Sequence, residues 1–224
     1  MSRPILGFDP GATIGWAIYD PQTQQLLEHG EFDAVAPGVA AIVDLVGGHD
    51  GPIAIERPRV YSGRDKEGVI KHAAGNDVAD TCEQCGWLVA LAGGELGAQD
   101  LGHGAWARGG DCYLLERRAV TRAVRRHFGE AIVGDGPIWK ALRDAHGGEA
   151  AMAGPKAGTP AKWTKGRKGK PATSRSPGLP AVAPELLAAE VPAREPGHLH
   201  GMGGHARAAF ATAWALGQFL TEGK

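Results

Sequence analysis

The stretch ILGFDPGATIGWAIYD, residues 5–20, sets two apolar runs on either side of Asp9-Pro10-Gly11. Short apolar runs bounded by a Pro-Gly turn read as buried strands, so residues 4–8 and 14–19 are expected to form two strands joined tightly. HGEFDAV (29–35) reads as a third, and three consecutive strands with short links make an antiparallel meander. The same stretch raises a chemical question. Asp9 is a lone acid at the end of a buried strand, where a carboxylate is costly unless something pairs with it.

Further along, GVAAIVDLV (38–46) has helical apolar spacing and follows Pro37, a favoured helix start. GPIAIERP (51–58) is a short apolar strand that ends at Pro58 and contains one acid, Glu56. A helix is expected over 77–92, with Asn76 as its cap and Gly93-Gly94 as its stop. DCYLLE (111–116) reads as a fifth strand, followed by short helices near 118–127 and 136–145. APELLAAE (183–190) allows another short helix. HARAAFATAWALGQFL (205–220) is apolar nearly all round, which marks a helix buried against a sheet. The order β-β-β-α-β-α-β-α-α gives an α/β fold: a mixed five-stranded sheet with helices on both faces.

The chain of 224 residues suits a single domain, 1–224, with a basic Pro/Gly-rich insertion or flexible loop at about 147–183. RVYSGRDKEGVIKHAAG (59–75) reads as a mobile loop. No run has the length of a membrane span, and the N-terminus enters a strand with no signal peptide. Cys82 and Cys85 form a C-x-x-C with no second pair, so they read as small residues on a buried helix rather than a zinc site. Together these features point to a cytoplasmic protein. Net charge is −1, yet residues 156–175 carry seven Lys/Arg and no acid, and ERRAVTRAVRRH (116–127) is a second basic run. Such local excess favours a polyanionic partner, the alternative being a solvated face or linker.

Asp9 and Glu56 share one setting, the C-terminal end of a short apolar strand. If those strands are neighbours, the carboxylates lie side by side at one sheet edge, where α/β sites form. Two such acids repel unless they share a proton or a cation, and oxygen ligands of this kind suit Mg²⁺ or Mn²⁺. Taken singly, each also reads as a strand-end residue.

Four features in this order resemble the RuvC-type Holliday junction resolvases, of phage or prophage kind, in the ribonuclease H-like superfamily. They are Asp9-Pro10-Gly11, a second strand with Gly15-Trp16-Ala17, the Ala54-Ile55-Glu56 strand, and a late helix with His-x-x-x-Ala from His205. The resemblance covers residues 4 to about 145 and 198–220. It implies a homodimer that binds four-way DNA junctions and resolves them by paired nicks, with two Mg²⁺ ions (Mn²⁺ substituting) at the phosphodiester. Asp9 matches the first-strand aspartate that contacts both metals, and Glu56 the fourth-strand glutamate. The final helix of the family supplies Asp or His, two residues, then Asp. His205 fits the first of these positions, and Ala208 stands where the family has aspartate.

Positions 205 and 208 share a helical face, and residues 198–220 contain no acid that replaces the missing one. Three explanations stand. An aspartate has been replaced, since HARAAFATAW is one residue from HARDAFATAW; or a natural relative binds junctions without cutting; or the acid comes from elsewhere. The first is favoured, making this chain an inactivated endodeoxyribonuclease. His198 and His200 read as mobile surface.

The expected DNA-binding surface comprises Arg57, Arg59, Arg64, Lys66 and Lys71, then Arg122 and Arg125, then Lys165, Arg167, Lys168 and Lys170. Tyr61 is a candidate for stacking on bases at the junction centre. The helix 77–92, with Trp87, Leu88 and Leu91, resembles the family's dimer-forming helix; ordinary core packing is the alternative. Two other functions compete: a non-catalytic junction-binding protein, and an actin- or sugar-kinase-like phosphotransferase, whose first phosphate loop DPGATIGWAI also resembles. The second needs a repeat of that motif, which this sequence lacks.

Overall fold

The computed structural model describes residues 3–34, 36–58, 62–64, 70–72, 76–95, 98–102, 104–152, 163–164, 173–174 and 197–222. The chain divides into two units, Met1–Gly148 with Met202–Lys224, and Glu149–Gly201.

In the first unit, β1 (Ile5–Asp9), β2 (Thr13–Asp20) and β3 (Gln25–Asp33) form the expected meander. β3 starts four residues before the expected strand because the turn closes early. The Asp20 carboxylate accepts hydrogen bonds from the Gln22 N–H at 2.8 Å and the Thr23 hydroxyl at 2.9 Å. Gln24 takes a left-handed φ of 55°, which turns the chain back so that Leu26 pairs with Tyr19. α1 (Ala36–Gly47) leads to β4 (Ile53–Arg57), which lies parallel to β1. After an antiparallel pair, β5 (Ser62–Arg64) and β6 (Ile70–His72), comes α2 (Asn76–Leu91), closed at Gly93 with φ 68°. β7 (Gln99–Gly102), β8 (Ala105–Ala107) and β9 (Cys112–Glu116) form a second meander, and β9 runs parallel to β4. α3 (Arg117–Phe128), α4 (Asp135–Ala145) and the long α6 (Gly204–Glu222) complete the unit. In chain order, α5 (Gly148–Ala151), β10 (Trp163–Thr164) and β11 (Thr173–Ser174) come between α4 and α6. β10 and β11 pair antiparallel within the second unit.

The sheet has seven strands, in the order β3-β2-β1-β4-β9-β8-β7, rather than the five expected. The two extra strands, β7 and β8, fully bury only Ala105 and are held by backbone pairing, β8 to β9 and β7 to β8, so they leave no apolar alternation to read. The β5–β6 pair likewise falls within the stretch expected to be loop, and β10–β11 within the expected insertion. The APELLAAE helix lies outside the described residues. Cys85 is buried as expected, but Cys82 is exposed. No described helix is long and apolar enough to cross a membrane.

Period-two alternation sorts the central strands into two faces. Leu6 and Phe8 of β1, Ile53 and Ile55 of β4, and Cys112 and Leu114 of β9 pack with Ile42 and Val46 of α1 and Cys85, Leu88 and Val89 of α2. Each fully buried Leu, Ile or Phe here contributes roughly 1.5–3 kcal/mol. Leu88 therefore belongs to the core, and Trp87 and Leu91 pack at its margin. Helix α6 covers the opposite face, at very short range. A Cβ on Gly7 would lie 2.3 Å from the Ala209 carbonyl oxygen, and one on Gly15 would lie 2.1 Å from the His205 carbonyl carbon. Only glycine permits this approach, which sets the first turn of α6 over the ends of β1 and β2.

Candidate active site

The parallel register of β1 and β4 pairs Phe8 with Ile55, and the next residue on each strand is Asp9 and Glu56. Alternation turns both toward α6 rather than toward the Phe8–Ile55 core. They line one cleft of about 630 Å³ with Arg117, Asp135, His205 and Ala208. The expected quartet Asp9, Glu56, His205 and Ala208 is therefore brought together.

His205 Nδ1 lies 2.8 Å from Asp9 Oδ2. Its helix is anchored by Glu31 of β3, whose Oε1 accepts the backbone N–H groups of His205 at 2.9 Å and Ala206 at 3.1 Å. A carboxylate at this position satisfies N–H groups that the first turn leaves unpaired and favours the positive end of the helix dipole. Behind Glu56, the buried Thr212 hydroxyl lies 3.3 Å from Glu56 Oε2 and 3.0 Å from the Ala208 carbonyl oxygen. Arg117, the first residue of α3, donates from Nη1 to Glu56 Oε2 at 3.0 Å. Its Nε donates to Asp135 Oδ1 at 2.9 Å, and Nη2 contacts the same oxygen.

Burial raises the pKa of Asp9, opposed by its hydrogen bond to His205 and that ring's charge. Glu56 is pushed from 4.5 to about 7, chiefly by burial; Arg117 pulls it back down, while the Asp9 charge raises it further. The two acids thus lie in a poorly solvated place and repel each other, and Arg117 offsets part of that cost.

Asp, Glu and His make an oxygen-and-imidazole donor set that suits Mn²⁺ or Mg²⁺ by type. As arranged, the set does not fit such an ion. Among the described residues no three His, Cys, Asp or Glu side chains converge to hold a metal. Glu56 Oε2 is engaged by Arg117 and Thr212, and His205 Nδ1 by Asp9. Ala208 contributes no oxygen.

Five of the twelve expected DNA-contacting residues are among those described: Arg57, Arg64, Lys71, Arg122 and Arg125. Arg57 lines the cleft, with its guanidinium 4.7 Å from the Trp106 ring centroid and Nη1 3.9 Å from the Glu116 carboxylate. Arg122 is exposed on α3. Arg125 is half-buried; its Nε donates to the Ile132 carbonyl at 2.7 Å and ties α3 to the following loop. Arg64 and Lys71 sit on β5 and β6, opposite Ile70 and Gly63. Arg59, Tyr61, Lys66, Lys165, Arg167, Lys168 and Lys170 lie outside the described residues.

The polar residues of the site not singled out from sequence include Arg117, Asp135, Glu31 and Thr212. Arg117 is concealed within the basic 116–127 run. Asp135 looks like an ordinary first-turn acid. Glu31 sits on an exposed strand and Thr212 on an apolar helix, and nothing in their neighbours marks either.

No family model matches the sequence, and no curated protein matches it. Among solved structures the chain is similar to T. thermophilus RuvC in complex with Holliday junction substrate, at 12% identity and a TM-score of 0.49. That match covers 99% of this chain and 96% of the other. A likeness this slight carries nothing about site or function.

Proposed function

We propose that this chain is a branched-DNA-binding protein with the cleft of a RuvC-type, metal-dependent junction-resolving endonuclease, silenced by Ala208 at an expected aspartate. The observation that carries the reading is the meeting of four residues from three separate stretches of sequence. Asp9 and Glu56 end adjacent parallel strands, and the first turn of α6 brings His205 and Ala208 to the same cleft. Asp9, Glu56 and His205 are positions at which the sequence resembles the resolvases, and Ala208 is the position at which it departs from them. Asp9, Glu56 and His205 are the proposed metal ligands once an acid at 208 completes the set, with Mg²⁺ or Mn²⁺ as the cofactor. A homodimer, recognition of four-way junctions and a cytoplasmic location belong to the same reading.

A second reading, a junction binder that never cut, is favoured by Ala208 together with the guanidinium on Glu56. Both readings need junction recognition, so the first experiment measures it without metal. In EDTA, the chain should bind a labelled synthetic four-way junction at least tenfold more tightly than a linear duplex of the same arm sequences. Neutralising Lys165, Arg167, Lys168 and Lys170 should flatten the dependence of log affinity on log salt. Equal affinity for duplex and junction would overturn both readings.

A further inference from the structure

The cleft holds three carboxylates, Asp9, Glu56 and Asp135, and one guanidinium lies between two of them. Arg117 reaches Glu56 Oε2 with Nη1 at 3.0 Å and Asp135 Oδ1 with Nε at 2.9 Å. A planar fork of five N–H donors suits two carboxylates at once, and it stays protonated at any working pH. Arg117 is well placed to persist there. It is the first residue of α3, directly after Glu116, which pairs with Arg57 in the β4–β9 register. Its side chain is 24% exposed, while that of Asp135 is 79% exposed.

We propose that Arg117 is a built-in counter-cation that holds the Glu56 side of the cleft in place of a divalent metal ion, so that an ion binds only when the guanidinium leaves Glu56. The inference rests on reading the cleft as a resolvase-type acid site and names what regulates metal entry to it. The physical basis is competition for one oxygen. Mg²⁺ requires ligand oxygens at about 2.0–2.1 Å in near-octahedral geometry. Glu56 Oε2 already takes the Arg117 and Thr212 donors. A dication on that oxygen would also face a guanidinium 3.0 Å away, with little solvent to screen the repulsion. Asp135 gives the displaced side chain somewhere to stay, because its two contacts to Arg117 do not involve Glu56. Arg117 would then swing between a latched position on both acids and an open one on Asp135 alone.

The test is a Mn²⁺ titration of the full chain, followed by electron paramagnetic resonance of the free hexaaqua ion, with no DNA present. Arg117→Met keeps the stem and removes the charge, and should bind Mn²⁺ at least tenfold more tightly than the unaltered chain. Arg117→Lys, a point charge without the fork, should fall between them, and it keeps the proposal testable if the methionine variant does not fold. Adding Glu56→Gln to Arg117→Met should abolish the gain. Mn²⁺ affinity that does not rise in either Arg117 variant, or a gain that survives Glu56→Gln, would overturn the proposal. Junction binding in EDTA is measured separately, so a failed latch and a failed resolvase reading give different results.

Discussion

Replacing Glu56 with glutamine changes one atom in a buried place and isolates the cost of its charge. Glu56 is held near 7 in the folded chain against 4.5 in the unfolded one. Between those pH values the folded state binds more protons, so stability is fully present below about 4.5 and falls as pH rises through 7. At 1.36 kcal/mol per pH unit, that interval corresponds to about 3 kcal/mol lost on going from pH 4 to pH 8. Glutamine keeps a carbonyl oxygen for the donors of Arg117 and Thr212 but cannot ionise. Urea unfolding of both proteins at pH 5 and pH 8 gives the difference directly. The unaltered chain should lose 1–3 kcal/mol more than Glu56→Gln over that range, on the order set by linkage. The raised Asp9 acts in the same direction but is present in both proteins, so most of its effect cancels. Parallel pH dependence in the two proteins would refute the claim that Glu56 is a buried, strained carboxylate.

Two further variants probe how the fold sets the site. Gly15→Ala places a methyl 2.1 Å from the His205 backbone, so α6 must shift, and urea unfolding should show a loss of about 2–3 kcal/mol. Glu31→Ala removes the acceptor for two N–H groups at the start of α6. It should lower stability by about 1 kcal/mol, with Glu31→Gln recovering part of the loss in the same thermal scan.

The centre of the fold was legible because its strands are buried. β1, β2, β4 and β9 show as apolar runs, and α6 as an apolar helix, since each fills a core face. β7 and β8 were not legible, because strands that bury almost nothing are specified by their backbone partner and not by their side chains. The same distinction separates the site residues. Asp9 and Glu56 stand out as single charges in apolar surroundings, whereas Arg117 and Asp135 sit among charges and look like surface. What pairs them is the packing of α3 and α4 around the cleft, a tertiary fact with no local signature. Arg125 is another case: one of a basic series, it holds a loop carbonyl that no sequence pattern points to.

The most direct measurement compares this chain with Ala208→Asp on a synthetic four-way junction, scoring binding in EDTA and nicking in Mg²⁺ or Mn²⁺. Ala208 lies one helical turn beyond His205 in the cleft that holds Asp9 and Glu56. A carboxylate there adds the missing oxygen donor, and the extra negative charge favours a dication over a single guanidinium. A lost ligand of this kind is worth roughly 3–4 kcal/mol of transition-state stabilisation, on the order of a hundred- to a thousandfold in rate. Both proteins should bind the junction, with the variant equal or slightly weaker in EDTA, and only Ala208→Asp should nick it. A variant that binds normally and nicks with neither metal would contradict the silenced-nuclease reading and leave the junction binder in its place.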